Sequence, residues 1–87
     1  MDYRLLCNIE PSKLVVGTRQ LLRGIIDGEI QCVVIAEDAD ASIKSKLEDA
    51  CFCAGIEYSY GPSKSELGKL CGIAVDAAGA GMKAKRN

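Results

Sequence analysis

No histidine occurs in the 87 residues, and the five cysteines, at positions 7, 32, 51, 53 and 71, include no Cys-x-x-Cys pair. A metal centre built on imidazole or on paired thiolates is excluded on that ground, because each needs ligands at chelating separation. Cys51 and Cys53 fall in a segment that reads as helix, where a separation of two puts side chains on nearly opposite faces. An odd number of cysteines with no secretory leader argues against a disulfide scaffold. Most of them are expected to be small buried hydrophobes, kept reduced. No metal and no cofactor is expected.

Long apolar runs are missing as well. Runs such as Leu14-Val15-Val16 and Cys32-Val33-Val34-Ile35-Ala36 fall far short of the roughly 20 residues that cross a bilayer. Met1-Asp2-Tyr3-Arg4 leads into only Leu5-Leu6-Cys7 before Asn8, so no signal-peptide apolar region is present. A cytoplasmic protein with no membrane partner is the expectation.

An excess of charge of one sign is also absent: 11 basic residues against 12 acidic ones leave a net −1. The distribution says more. Residues 11–24 hold Lys13, Arg19 and Arg23 and no acid, whereas residues 25–50 hold Asp27, Glu29, Glu37, Asp38, Asp40, Glu48 and Asp49 against Lys44 and Lys46. Lys83, Lys85 and Arg86 form a basic end. With 48% apolar and 26% charged residues, the chain has the composition of one globular domain across residues 1–87. Its core is expected over about 12–82, and residues 83–87 are expected to be a frayed basic tail.

The elements alternate. Leu14-Val15-Val16 is a short β-branched run ending at Gly17. Thr18 is placed to cap a helix through about Asp27, with Leu21, Leu22, Ile25 and Ile26 on one side and Gly28 as its stop. Cys32 to Ala36 reads as a strand covered on both faces. A second helix carries Ile43, Leu47, Ala50, Cys51 and Ala54 in one stripe and ends at Gly55. Ile56 to Tyr60 reads as a strand, and Ser63-Lys64-Ser65-Glu66 is a capping box opening a third helix that stops at Gly72. Ile73-Ala74-Val75 then leads into Ala77-Ala78-Gly79-Ala80-Gly81-Met82, a weak strand by composition, expected at a thin place in the sheet. Strands alternating with helices give a small α/β sandwich.

The segment with the clearest chemical potential is Val16-Gly17-Thr18-Arg19-Gln20-Leu21-Leu22-Arg23-Gly24. Gly17 would let another backbone approach where strand meets helix. The first-turn amides point outward at the positive end of the helix dipole, which suits a phosphate. Arg19, Gln20 and Arg23 lie within one turn of each other and could reach a single ligand. Arg can fork onto the O6 and N7 of guanine, and Gln can both donate to and accept from a base edge. The bland alternative is a helix entry with solvated charges. Other clusters carry less. Glu37, Asp38 and Asp40 suit turn and cap roles, and Gly79-x-Gly81 lacks the third glycine of a dinucleotide fingerprint. The tyrosines are not spaced as a base-stacking platform, although Tyr58 and Tyr60 share one strand face.

Three motifs occur in one order: Gly17-Thr18-Arg19-Gln20-x-x-Arg23, then Val34-Ile35-Ala36-Glu37-Asp38, then Ser63-Lys64-x-x-Leu67-Gly68-Lys69-x-Cys71-Gly72-Ile73. Together the chain resembles the kink-turn RNA-binding family of large-subunit ribosomal proteins "seven-Ae" and "thirty-e", above all its short bacterial members. The resemblance covers about residues 12–82. It implies an α/β fold, a three-layer α/β/α sandwich around a mixed four-stranded sheet, with no enzymatic activity. It implies a ligand too: a sharply bent RNA internal loop with tandem sheared G·A pairs. The expectation that follows is binding to ribosomal or regulatory RNA as a monomer. The family's base-contacting positions fall on Arg19, Gln20 and Arg23, following Gly17 and Thr18. Its second contact loop falls on Ile73, Ala74 and Val75, and a lysine that approaches the RNA backbone falls on Lys64. Arg19 stands where the family commonly has Asn, and Ala74 where it often has a polar residue. Arg19, Arg23 and Lys64 would supply three phosphate contacts, hence a slope of log K against log salt of roughly −2 to −3. A second class of function, an acidic protein-interaction module on the same fold without RNA, is favoured by the overall acid balance and by the missing Asn at 19. An enzyme is not supported, since no nucleophile stands beside a base.

Overall fold

The structure, a computed structural model, describes residues 11–83. A 3-10 turn, Pro11–Lys13, leads into strand β1, Leu14–Val16. Helix α1 follows at Thr18–Ile26, strand β2 at Ile30–Ala36, and helix α2 at Ala41–Ala54. Strand β3 spans Glu57–Gly61, helix α3 Lys64–Leu70, and strand β4 Gly79–Lys83. The sheet order is β1-β4-β2-β3, with β2 and β3 parallel and the other two pairings antiparallel. This is the expected mixed four-stranded sheet.

Alternation along the strands divides the core in two. Val33 and Ile35 of β2 meet Leu21 and Ile25 of α1 and Leu47 and Cys51 of α2 on one face. Val34 and Ala36 meet Leu67 of α3, together with Ala77 and Ala80, on the other. Successive residues of a strand point to opposite faces, so a run buried at every position from Cys32 to Ala36 requires helices on both sides. β1 follows the same rule, with Val15 packed on the α1–α2 side and Leu14 and Val16 on the α3 side.

β4 lies between β1 and β2 in the middle of the sheet, a position that its weak strand composition does not indicate. Its glycines make room for helix side chains. A Cβ at Gly79 would stand 3.0 Å from a Leu47 methyl and 3.3 Å from one of Leu21. A Cβ at Gly81 would stand 2.5 Å from the other Leu21 methyl. The strand is low in β-propensity because two helices press their leucines onto it.

Three smaller expectations are corrected. Ile26 is 80% exposed, because it lies about 100° further around α1 than Ile25, beyond the face that Leu21 and Ile25 bury. β3 begins at Glu57, one residue later than expected. Lys83 is the last residue of β4, paired with Ile30, and not part of a tail; Lys85, Arg86 and Cys7 lie outside the described residues.

The other cysteines sort as the helical spacing requires. Cys32 and Cys51 are buried, Cys71 is half-buried and Cys53 is exposed. Burial pushes the Cys51 thiol up to about 11 and raises those of Cys32 and Cys71. Thiol reactivity follows thiolate fraction and access. Brief alkylation of the native protein, read by peptide mass mapping, should therefore label Cys53 and leave Cys51 unmodified until denaturant is added. Equal labelling of the two would contradict the packing of α2.

Candidate functional site

The start of α1 is shaped by Gly17, which occupies the N-cap at φ +102°. That backbone conformation is one which a side chain strongly disfavours. Among the protein's own atoms a Cβ there would meet nothing within 4 Å, so within the fold it is the backbone conformation that calls for glycine. Thr18 is the first helical residue and not the cap, and the glycine at the cap position offers no side-chain acceptor. The first-turn amides, at the positive end of the dipole, thus have no side-chain acceptor among the described residues. This is the arrangement that receives an anion at a helix start.

α1 separates two grooves. One, of about 500 Å³, lies between α1, β1 and the segment after α3; Gln20, Leu14, Val16, Cys71, Gly72 and Ile73 line it. The other, of about 470 Å³, lies between α1 and α2; Thr18, Arg19, Leu22, Arg23, Ile26, Ile43 and Lys46 line it. Arg19 and Arg23, four apart, share one flank of the helix, whereas Gln20 turns to the other. The three side chains expected to reach one ligand stand on either side of the helix, so a ligand that meets all three has to straddle it. Lys46 was not anticipated from sequence; only the packing of α2 beside α1 brings it there.

The segment 71–78 is held by main-chain contacts. Ile73 N–H donates to the Gly68 carbonyl at 3.0 Å, and Ala77 N–H to the Lys64 carbonyl at 3.1 Å. The Val75 carbonyl lies where a Cβ at Gly68 would be, so only glycine fits at that point of α3. Ile73 is half-buried and packs against the α3-side core, while Ala74 is exposed and Val75 is 69% exposed. One apolar side chain is anchored and the next two face solvent. Of the expected site residues, Gln20 and Ile73 share one groove, and Thr18, Arg19 and Arg23 share the other.

Lys64 opens α3. Its backbone N–H donates to Asp38 Oδ1 at 2.7 Å, and Ser63 Oγ accepts from Glu66 N–H at 3.3 Å, the first half of the expected capping box. Asp38 thus caps a neighbouring helix, the kind of role expected of the acidic turn. The Lys64 side chain is half-buried and lines neither groove. Among the described residues, no cluster of His, Cys, Asp or Glu could hold a metal ion, and no helix is long and apolar enough to cross a membrane.

Comparison with known proteins converges. The model of the family described as "Ribosomal protein L7Ae/L30e/S12e/Gadd45 family" matches residues 5–87. An RNA-binding protein of Caldanaerobacter subterraneus subsp. tengcongensis is 40% identical over 68 residues, which is 78% of this chain and 83% of that one. RNA-binding protein YbxF of Geobacillus stearothermophilus is 39% identical over 70 residues, 80% of this chain and 85% of that one. Among solved structures, the Giardia lamblia 15.5kD RNA binding protein superposes with a TM-score of 0.76 at 26% identity, covering 95% of this chain and 68% of that one. A protein of unknown function from Bacillus halodurans superposes with a TM-score of 0.84 at 22% identity, covering 95% and 85%.

Proposed function

Since the chain belongs to the ribosomal protein L7Ae/L30e/S12e/Gadd45 family, we propose that it binds structured RNA at the start of α1, and that the RNA is a kink-turn internal loop with tandem sheared G·A pairs. The observation that carries this reading is the groove that brings Gln20 and Ile73 together beside an uncapped helix start. Gln20 reads a purine edge, the first-turn amides after Gly17 and Thr18 take a phosphate, and Ile73 and Val75 pack on a displaced base. Arg19 and Arg23 supply the guanidinium contacts and Lys64 a peripheral phosphate contact. The protein acts as a cytoplasmic monomer on ribosomal or regulatory RNA, and it performs no chemistry on it.

Such a site has few cations and depends on shape. It fits only an RNA that is bent or able to bend, so binding should shift the RNA towards its kinked form. With fluorophores on the two arms of a kink-turn duplex that is extended when free, adding protein should raise energy transfer. The same duplex with its G·A pairs replaced should bind far more weakly in a gel shift. Unchanged transfer at saturation, or equal binding of the two duplexes, would overturn the reading in favour of a protein-interaction module.

A further inference from the structure

We infer that the RNA footprint extends over the far side of α1 into the groove between α1 and α2, where Lys46 holds a backbone phosphate. The inference rests on the RNA-binding reading above and assigns a role to a residue outside its site. The two grooves flank one helix, with Gln20 on one side and Arg19 and Arg23 on the other. A ligand that engages all three straddles α1, and a sharply bent RNA has two diverging arms that can do so.

The α1–α2 groove has the charge such an arm needs. Three cations line it, Arg19 and Arg23 from α1 and Lys46 from α2, and no carboxylate is among its lining residues. This acid-free cluster stands out in a chain whose net charge is −1. Thr18, at the helix start, lies on its rim and makes it continuous with the first-turn amides. Lys46 is exposed, and an ammonium on a flexible stem suits a backbone phosphate, which needs charge and no fixed fork. Its neighbour Lys44 is differently engaged. Lys44 Nζ donates to the Glu37 carbonyl and stands 5.8 Å from the centre of the Tyr60 ring, towards β3.

A fourth phosphate contact takes the salt slope from roughly −2 to −3 to roughly −3 to −4. The test measures affinity for the kink-turn duplex and for its G·A-replaced counterpart at several salt concentrations, with wild type, Lys46→Gln, Lys46→Arg and Lys44→Gln. Lys46→Gln should reduce the slope by about 0.7–0.9, so its affinity deficit shrinks about three-fold between 50 and 200 mM salt. Its preference for the G·A duplex should stay intact. Lys46→Arg should restore the slope, and Lys44→Gln should leave it at the wild-type value. A wild-type slope in Lys46→Gln, with duplex discrimination retained, would overturn this inference alone and give the groove to another occupant, such as an acidic protein segment. Loss of discrimination in the wild type itself would remove the RNA reading and this extension of it together.

Discussion

Leu21→Ala should destabilise the protein by about 2–5 kcal/mol, the range for truncating a fully enclosed leucine. Against a total of roughly 4–13 kcal/mol for a domain of this length, that is enough to leave much of the population unfolded under mild denaturant. Leu21 is wholly buried and presses one methyl towards Gly79 and the other towards Gly81. Gly81→Ala should cost about 1–3 kcal/mol through the converse fault, because its new methyl competes with Leu21 for the same space. The two substitutions should not add. In the Leu21→Ala background the cavity receives the methyl, so the second change should be nearly neutral, leaving a coupling of about 1 kcal/mol or more. Urea unfolding of the wild type, both single variants and the double variant measures this directly. Strict additivity would mean that Leu21 and β4 do not share that space.

Arg23→Ala should weaken RNA binding much more than Lys64→Ala. A forked contact to a guanine edge is worth about 1–3 kcal/mol, or roughly five- to 150-fold in affinity. Arg23 is exposed and flanked by Arg19 one turn earlier, in a groove without acids. Lys64 sits with its backbone amide held by the Asp38 carboxylate, so the local field is partly cancelled before any phosphate arrives. A lone contact of that kind appears mainly in the salt dependence, as a slope change near 0.7–0.9. Titrations of both variants at low and high salt separate the cases. Equal losses at every salt concentration would show that Arg23 contributes only charge.

Much of this architecture was legible in the residue pattern, for identifiable reasons. The stripe Ile43, Leu47, Ala50, Cys51, whose expected last member Ala54 is exposed, and the stops at Gly28, Gly55 and Gly72 are local signals. All three glycines adopt positive φ, and the chain's own periodicity marks where each helix ends. The Ser63 cap is equally local. β4 was underestimated because its role is decided from outside: nothing within Gly79-Ala80-Gly81 announces that Leu21 and Leu47 will descend on it. That Arg19 and Arg23 line one groove and Gln20 the other is likewise decided from outside the helix. Helical spacing gives the angles between side chains, but which neighbour each angle meets depends on where α2 and the segment after α3 pack. Lys46 was invisible until that packing was known.

The grip of α3 on the segment after it has a consequence for adaptation. Gly68 receives the Val75 carbonyl, and the Gly68 and Lys64 carbonyls receive the amides of Ile73 and Ala77. All of these are main-chain atoms, and none depends on which side chains occupy positions 74 and 75. The outline of this segment is therefore set before a ligand arrives, and the entropy of ordering it is not subtracted from affinity. The projecting residues are free to be exchanged without reshaping the backbone that carries them. Ala74 can gain a polar group, or Val75 a larger one, and alter which nucleotide is preferred while the fold stays as it is. Preference is a replaceable part here, mounted on a backbone that only Gly68 can accommodate.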